Sequence, residues 1–245
     1  MKAALVTGAS SGIGLAIARA LAEDGYALTV ASRTRDKVEA VAAELGAEAV
    51  QADVSSESDC ERLVAAHGER HGRLDVLVNS AGVGIAGRLE ETTAKHWDLQ
   101  LAVNLRGLFL VTRAALPLLK ESQGYVINLS SIAGTIPSPG LGAYGAAKAA
   151  VISLTRTLNA EHEADGIRAT ALCPGFVDTP MAAWSGIAPE RMIRPEDCAQ
   201  LVMALLRLSP HARIPEIVIE RSDFAASGRW PEAERGGGEA AQAAK

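Results

Sequence analysis

The tightest constraint on this chain lies at its start. Ala3–Thr7 is a short apolar run, Thr7-Gly8-Ala9-Ser10-Ser11-Gly12-Ile13-Gly14 follows at once, and residues 15–23 then show helical spacing. Few architectures accept a strand, a glycine-rich turn and a helix in immediate succession. Glycines permit positive φ and let a phosphate approach the backbone, while the helix start offers free N–H donors at the positive end of its dipole. The spacing is Gly-x3-Gly-x-Gly, not the common Gly-x-Gly-x2-Gly. The dinucleotide-site reading therefore rests on the strand–turn–helix context, against the alternative of a purely structural turn.

The same alternation continues downstream. Apolar runs at Ala27–Ser32, 47–52, 74–79, Tyr125–Leu129, 168–172 and Glu216–Ile219 read as strands, with helical patterns at 36–45, Glu57–His71, from the capping candidates Thr92/Thr93 to about Lys120, from Tyr144 to about Glu163, and from Arg194 onward. Pro117 is expected to distort the end of the third of these helices. Strands and helices alternating at this pace predict an α/β fold, a parallel sheet covered on both faces. Ligands of such sheets sit at the carboxyl ends of the strands. Glycine and polar clusters fall at those ends: 8–14, Ser32-Arg33, Asp53-Val54 and 79–82.

Two features carry chemistry. Tyr144 and Lys148 stand four residues apart at the start of an Ala/Val/Ile/Leu-rich helix, so they share a face. An ammonium beside a phenol favours the phenolate and would bring a group with an ordinary pKa of about 10 toward use as an acid or base at neutral pH. Asn104 lies in an apolar helix and must find partners or cost about 1–3 kcal/mol.

Composition excludes other classes. The 245 residues are 48% hydrophobic and 22% charged with a net charge of −5, so neither a nucleic-acid surface nor a basic membrane patch is expected. The apolar start breaks at Gly8, too early for a signal peptide or a span. Cys60, Cys173 and Cys198 are widely spaced, with no CxxC and no nearby His pair; reduced structural thiols, no metal site and a cytoplasmic location are expected. No boundary precedes the shift to Gly, Ala and Glu near Ala225. One catalytic domain over 1–224 and a disordered tail over 225–245, with Trp230 its one large apolar residue, are expected.

These motifs together resemble the short-chain dehydrogenase/reductase family, in its compact single-domain branch, from Ala3 to about Ile219. Thr7-Gly-x3-Gly-x-Gly14 resembles its cofactor loop, Asp53-Val54 its adenine contact, and Asn79-Ser80-Ala81-Gly82 its Asn-Asn-Ala-Gly segment with Ser in the second position. Asn104, Ser131, Tyr144 and Lys148 fall where the family places its catalytic tetrad, with thirteen positions from Ser131 to Tyr144; Ser130 would be one short. Pro174, Gly175, Val177 and Thr179 resemble the loop that holds the nicotinamide carboxamide.

The resemblance implies a Rossmann-like, doubly wound, three-layer fold with seven strands ordered 3-2-1-4-5-6-7, and a homo-oligomer, a tetramer or dimer. It implies hydride transfer between nicotinamide and a carbonyl or secondary alcohol. Tyr144 would be the general acid/base, Ser131 would orient the substrate oxygen, and Lys148 would lower the Tyr144 pKa and hold the ribose. Asn104 would link Lys148 to solvent through a main-chain carbonyl and a water. Cofactor contacts are expected from Gly8, Ser10, Ser11, Gly12, Ile13, Gly14, Ser32, Arg33, Asp53, Val54, Asn79, Ala81, Gly82, Tyr144, Lys148, Pro174, Gly175, Val177 and Thr179.

Cofactor choice can be read from the end of the second strand. Ala31-Ser32-Arg33-Thr34-Arg35 holds no acid before Asp36. An acid there would bind the ribose 2′-hydroxyl of NAD, whereas Arg suits the 2′-phosphate of NADP. NADP(H) is expected over NAD(H), moderated by Ser11 where many NADP-preferring relatives have a second basic residue. The segment after Pro174-Gly175 is brief, so a small lid over an open pocket is expected, lined by Ile132, Ile136, Phe176 and Trp184 and taking a neutral or weakly polar carbonyl. A non-catalytic dinucleotide-binding regulator on the same fold is the rival reading. A scaffold has no reason to hold Ser131, Tyr144 and Lys148 together. An epimerase or dehydratase of the longer branch would need a larger C-terminal region than this chain has room for.

Overall fold

The structure, a computed structural model, describes residues 1–223. The expected tail over 225–245, with Trp230, lies outside these residues, as does Phe224. Seven parallel strands form one sheet in the order β3-β2-β1-β4-β5-β6-β7: β1 Ala3–Thr7, β2 Ala27–Ser32, β3 Glu48–Gln51, β4 Val76–Asn79, β5 Tyr125–Leu129, β6 Arg168–Pro174 and β7 Glu216–Ile219. The helices are α1 Gly12–Glu23, α2 Arg35–Leu45, α3 Glu57–His71, α4 Ala94–Leu101, α5 Leu108–Ser122, α6 Gly142–Glu161 and α7 Pro195–Leu206.

Strand periodicity explains the layers. In β1, Ala4 and Val6 join one core with Ile17 and Leu21 of α1, Val38 of α2 and Val202 of α7, while Leu5 joins the other with Leu63 of α3, Val111 and Leu119 of α5 and Leu158 of α6. Because alternate residues enter two different cores, a fully buried strand reads as an unbroken apolar run. The three cysteines are buried free thiols, held well above the usual thiol range by that burial.

Two local features differ from expectation. Helix α5 runs past Pro117 to Ser122, and the irregularity lies upstream, where a π-helical segment, Ala102–Gly107, joins α4 to α5. Gly107 lets this segment close on β3's exit: a Cβ there would stand 2.8 Å from the Val54 carbonyl. β4 also starts later than the apolar run. Asp75 instead accepts from the Ala3 N–H at 2.8 Å, fixing the register at the sheet's bottom edge.

Strand order reverses at β1, which lies between β2 and β4. The crevice this opens at the carboxyl ends is where an open α/β sheet takes a ligand. Thr7, Asn79, Ser130 and Pro174 all reach that edge.

Candidate active site

Glycines assemble the first half of the crevice. Gly8 and Gly12 have φ of +66° and +55°, which side chains other than glycine rarely adopt. A Cβ on Gly8 would lie 2.7 Å from the Ala81 Cα, and one on Gly14 only 2.4 Å from the Gly8 carbonyl oxygen. The turn is thus pressed onto the β4 exit, where the Thr7 hydroxyl oxygen accepts from the N–H groups of Ser80 (3.2 Å) and Ala81 (3.3 Å). Ser11 is the N-cap of α1 but makes no side-chain cap bond, and no acid stands in the first turn. First-turn N–H groups aimed at a cradle that any Cβ would fill suit a pyrophosphate.

Beside this turn, Arg33, Arg35, Gln51, Asp53, Asp59 and Arg62 line a cleft. Gln51 donates to the Arg33 carbonyl at 3.1 Å, and Arg62 donates to the Gln51 carbonyl and the Asp59 carboxylate. Arg35 donates to Glu39 at 2.8 Å. The cleft thus brings together three guanidinium groups, of Arg33 after β2, Arg35 of α2 and Arg62 of α3, and three carboxylates, of Glu39, Asp53 and Asp59.

Several expected contacts are placed differently. The Val54 side chain is buried against Gly107 and not among the residues lining the cleft. Ser32 donates its hydroxyl proton to the Thr34 carbonyl at 3.1 Å, within its own turn. Asn79 turns inward, donating to Thr112 (3.0 Å) and Asn128 (2.9 Å), which leaves its main chain for the crevice. Asp53 does line the cleft, with one carboxylate oxygen accepting from the Ser55 N–H and hydroxyl.

The second half is built around α6. Gly134 and Gly145 let the turn Ile132–Gly134 lie on the helix backbone: a Cβ on Gly134 would stand 2.7 Å from the Lys148 carbonyl carbon, and one on Gly145 2.8 Å from the Ala133 oxygen. Ser130 donates to the Lys148 carbonyl at 2.8 Å, which pins α6 to β5. Its neighbour Ser131 donates to the Pro174 carbonyl at 3.4 Å, accepts from the Ala133 N–H at 3.2 Å and faces the Tyr144 phenol, whose pKa it lowers. The two adjacent serines therefore divide into an anchor and a group facing the phenol.

Lys148 is 4% exposed, and its ammonium donates to the Leu129 carbonyl at 2.6 Å, lying 5.5 Å from the centroid of the Tyr144 ring. Burial pushes it down to about 8. The expectation that Lys148 depresses the Tyr144 pKa is corrected here. Burial pushes the phenol up to about 12, opposed by the hydrogen bond with Ser131, and the ammonium faces the main chain below the ring. Tyr144 therefore holds its proton at neutral pH, the form suited to donating to a carbonyl oxygen.

Asn104 finds the partners its burial demands. It accepts from the Val83 N–H at 2.9 Å and donates to the Val83 carbonyl at 2.8 Å, holding the loop after β4 against Lys148's side of the crevice. On the other wall, Thr179 caps the two-turn 3₁₀ segment Pro180–Ser185. Its methyl lies 2.9 Å from where a Gly12 Cβ would be, joining this lid to the glycine turn.

The crevice between them is lined by Ile13, Gly82, Pro174, Gly175, Val177 and Thr179 from the expected set, together with Ser131, Tyr144 and Lys148. Phe176 and Trp184 line it as expected, whereas Ile132 and Ile136 do not; Ile132 is 1% exposed, packed into the interior by the turn it opens. Sequence reading missed Ser80, Gly84, Leu141, Met181 and Ala182. The Gly82-Val83-Gly84 spacing was the one available signal, since both glycines are where Met181 packs.

Comparison with known proteins gives the family and agrees with the fold. Residues 2–187 match the family model described as short chain dehydrogenase. An uncharacterized oxidoreductase of Staphylococcus epidermidis is 35% identical over 89% of this chain and 96% of its own length. One from Staphylococcus aureus is 34% identical over the same shares. Among solved structures, an alcohol dehydrogenase of the archaeon Thermococcus sibiricus complexed with 5-hydroxy-NADP superposes with a TM-score of 0.85 at 37% identity, covering 91% of this chain and 97% of that one. A 3-ketoacyl-(acyl-carrier-protein) reductase of Brucella melitensis complexed with NADH gives 0.81 at 30% identity, covering 89% and 96%.

Proposed function

The chain belongs to the short chain dehydrogenase family and is an oxidoreductase of that family, and from this premise we propose an NADP-preferring enzyme that moves hydride between nicotinamide and a carbonyl or secondary alcohol. The observation that carries the proposal is the convergence of Ser131, Tyr144 and Lys148 on one crevice beside a glycine turn fitted to phosphate.

When bound, reduced nicotinamide supplies a hydride to the carbonyl carbon and is itself oxidised; alcohol oxidation runs the same exchange backward. Ser131 hydrogen-bonds the substrate oxygen and fixes its direction. As the carbon–oxygen π pair moves onto that oxygen, Tyr144 donates its phenolic proton to it, giving the alcohol and a phenolate. The Lys148 ammonium, held under the ring by the Leu129 carbonyl, would hold the nicotinamide ribose with its remaining N–H groups. Asn104 fixes the Val83 loop over Lys148, and its carbonyl, in the widened π segment, is the proposed step toward solvent for the returning proton. Gly8, Gly12 and Gly14 with the start of α1 would hold the pyrophosphate, and Arg33 would hold the 2′-phosphate.

A panel of ketones, aldehydes and alcohols assayed with NADP(H) and NAD(H), following nicotinamide absorbance, tests the reading. Nucleotide-dependent turnover of at least one carbonyl is expected. Binding of nucleotide without turnover of any would favour a regulator on the same fold.

A further inference from the structure

Besides Ser80, Ser130, Ser131, Thr179 and Lys148, the crevice around Tyr144 is lined by apolar side chains. Leu141, Phe176, Met181, Ala182 and Trp184 form its open side, and the Phe176 and Trp184 rings meet edge to face, with centroids 5.9 Å apart and planes at 70°. Met181 reaches back across the mouth: a Cβ on Gly84 would meet its sulfur at 3.6 Å, and one on Gly82 its methyl at 3.9 Å. A thioether and an edge-to-face aromatic pair both pack well against a flat ring.

Charge is equally one-sided. Among the described lining residues only Tyr144 and Lys148 titrate, and the Lys148 ammonium gives one of its N–H groups to the Leu129 carbonyl. The arginines that flank the lining segments in sequence are each held by a carboxylate: Arg88 by Glu90 and Arg194 by Asp197, both at 2.6 Å, and Arg191 by Asp223. Among the described residues the one lining cation is thus Lys148, buried beneath the Tyr144 ring, and the arginines that flank the lining segments pair with acids at the surface. A carboxylate brought into such a wall loses its hydration without a partner.

We infer that the substrate is a free, uncharged ketone bearing a flat apolar group, an aryl ketone, whose ring lies against Trp184 and Phe176 beneath Met181. This inference rests on the oxidoreductase reading above and makes Trp184 a specificity-determining residue.

The test is steady-state kcat/KM for acetophenone, 4-acetylbenzoate, 2-butanone and an acetoacetyl thioester with NADPH and NADH, on wild type, Trp184→Ala and Trp184→Phe. Acetophenone is expected to exceed 4-acetylbenzoate and the thioester by about 100-fold. Trp184→Ala should cost acetophenone about tenfold and 2-butanone less than about threefold, while Trp184→Phe retains most of the preference. A charged ketone or thioester turned over as well as acetophenone would overturn the substrate class alone. So would a Trp184→Ala enzyme that loses both ketones equally. No turnover of any carbonyl with either nucleotide would overturn the oxidoreductase reading and this inference with it.

Discussion

Asn104 grips Val83 by both main-chain groups, accepting from its N–H at 2.9 Å and donating to its carbonyl at 2.8 Å across 21 positions of sequence. Asn104 is 1% exposed, so each of these bonds replaces one that water cannot supply. Removing the side chain takes the partner from two part-buried main-chain groups between the lining residues Gly82 and Gly84.

Asn104→Leu is therefore expected to destabilise the fold by about 1–3 kcal/mol and to lower turnover, with Asn104→Asp, which keeps the acceptor, lying between. Urea denaturation and kcat/KM measure the two effects. A leucine variant as stable as wild type would remove the anchoring role.

Tyr144→Phe deletes the proton and little else. Turnover should fall by about 100-fold or more, the usual worth of a general acid, with nucleotide affinity unchanged. Because burial holds the phenol near 12, the phenolate needed for alcohol oxidation grows with pH. The wild-type oxidation rate should thus rise between about pH 7 and 9, and the variant's residual rate should not. A variant keeping most of its rate would assign the acid elsewhere.

Arg33→Ala should weaken NADP by about 1.5–3 kcal/mol, the range of a charged hydrogen bond, and NAD far less. Arg35 and Arg62 line the same cleft, paired with Glu39 and Asp59. Titrating wild type and variant with both nucleotides decides it; equal losses, or a wild type that prefers NAD, would reverse the assignment.

His67 carries a pH dependence remote from the crevice. It is fully buried between the Thr29 hydroxyl (2.9 Å) and the Arg73 carbonyl (3.0 Å), and burial pushes it down to about 4. His71, whose ring centroid lies 4.8 Å away, lowers it further, and Asp75 raises it. Between about pH 4 and 6.5 the unfolded chain takes up a proton that the folded one refuses, so stability falls as pH drops through that window, by about 3 kcal/mol in all. Thermal melts from neutral to acid pH should fall less steeply for His67→Gln. Parallel curves would show that another group governs the acid limb.

Much of the fold was legible because both of its signals are local. Strand and helix periods, and glycine turns at strand ends, depend on neighbours a few residues away. Gly8, Gly12 and Gly14 could be placed from their spacing alone, and so could the shared face of Tyr144 and Lys148. Val54, Ser32 and Asn79 could not. Each carries a plausible side chain at the right strand end, but its direction is set by a partner distant in sequence or by a turn: Gly107 for Val54, the Thr34 carbonyl for Ser32, Thr112 and Asn128 for Asn79.

The sequence by itself determined the alternating α/β order, the phosphate-fitted turn and the residues that can do proton chemistry, because each is written in short-range pattern. Only the tertiary structure decided their electrostatics and the shape of the pocket. Whether Lys148 lowers the Tyr144 pKa depends on where its ammonium points, and the Leu129 carbonyl, on a strand nineteen positions earlier, takes it. Met181 and Leu141 became walls through contacts between segments far apart in the chain. Burial, too, is a property of the assembled layers, and it moves both pKa values here more than any neighbour named by the motif.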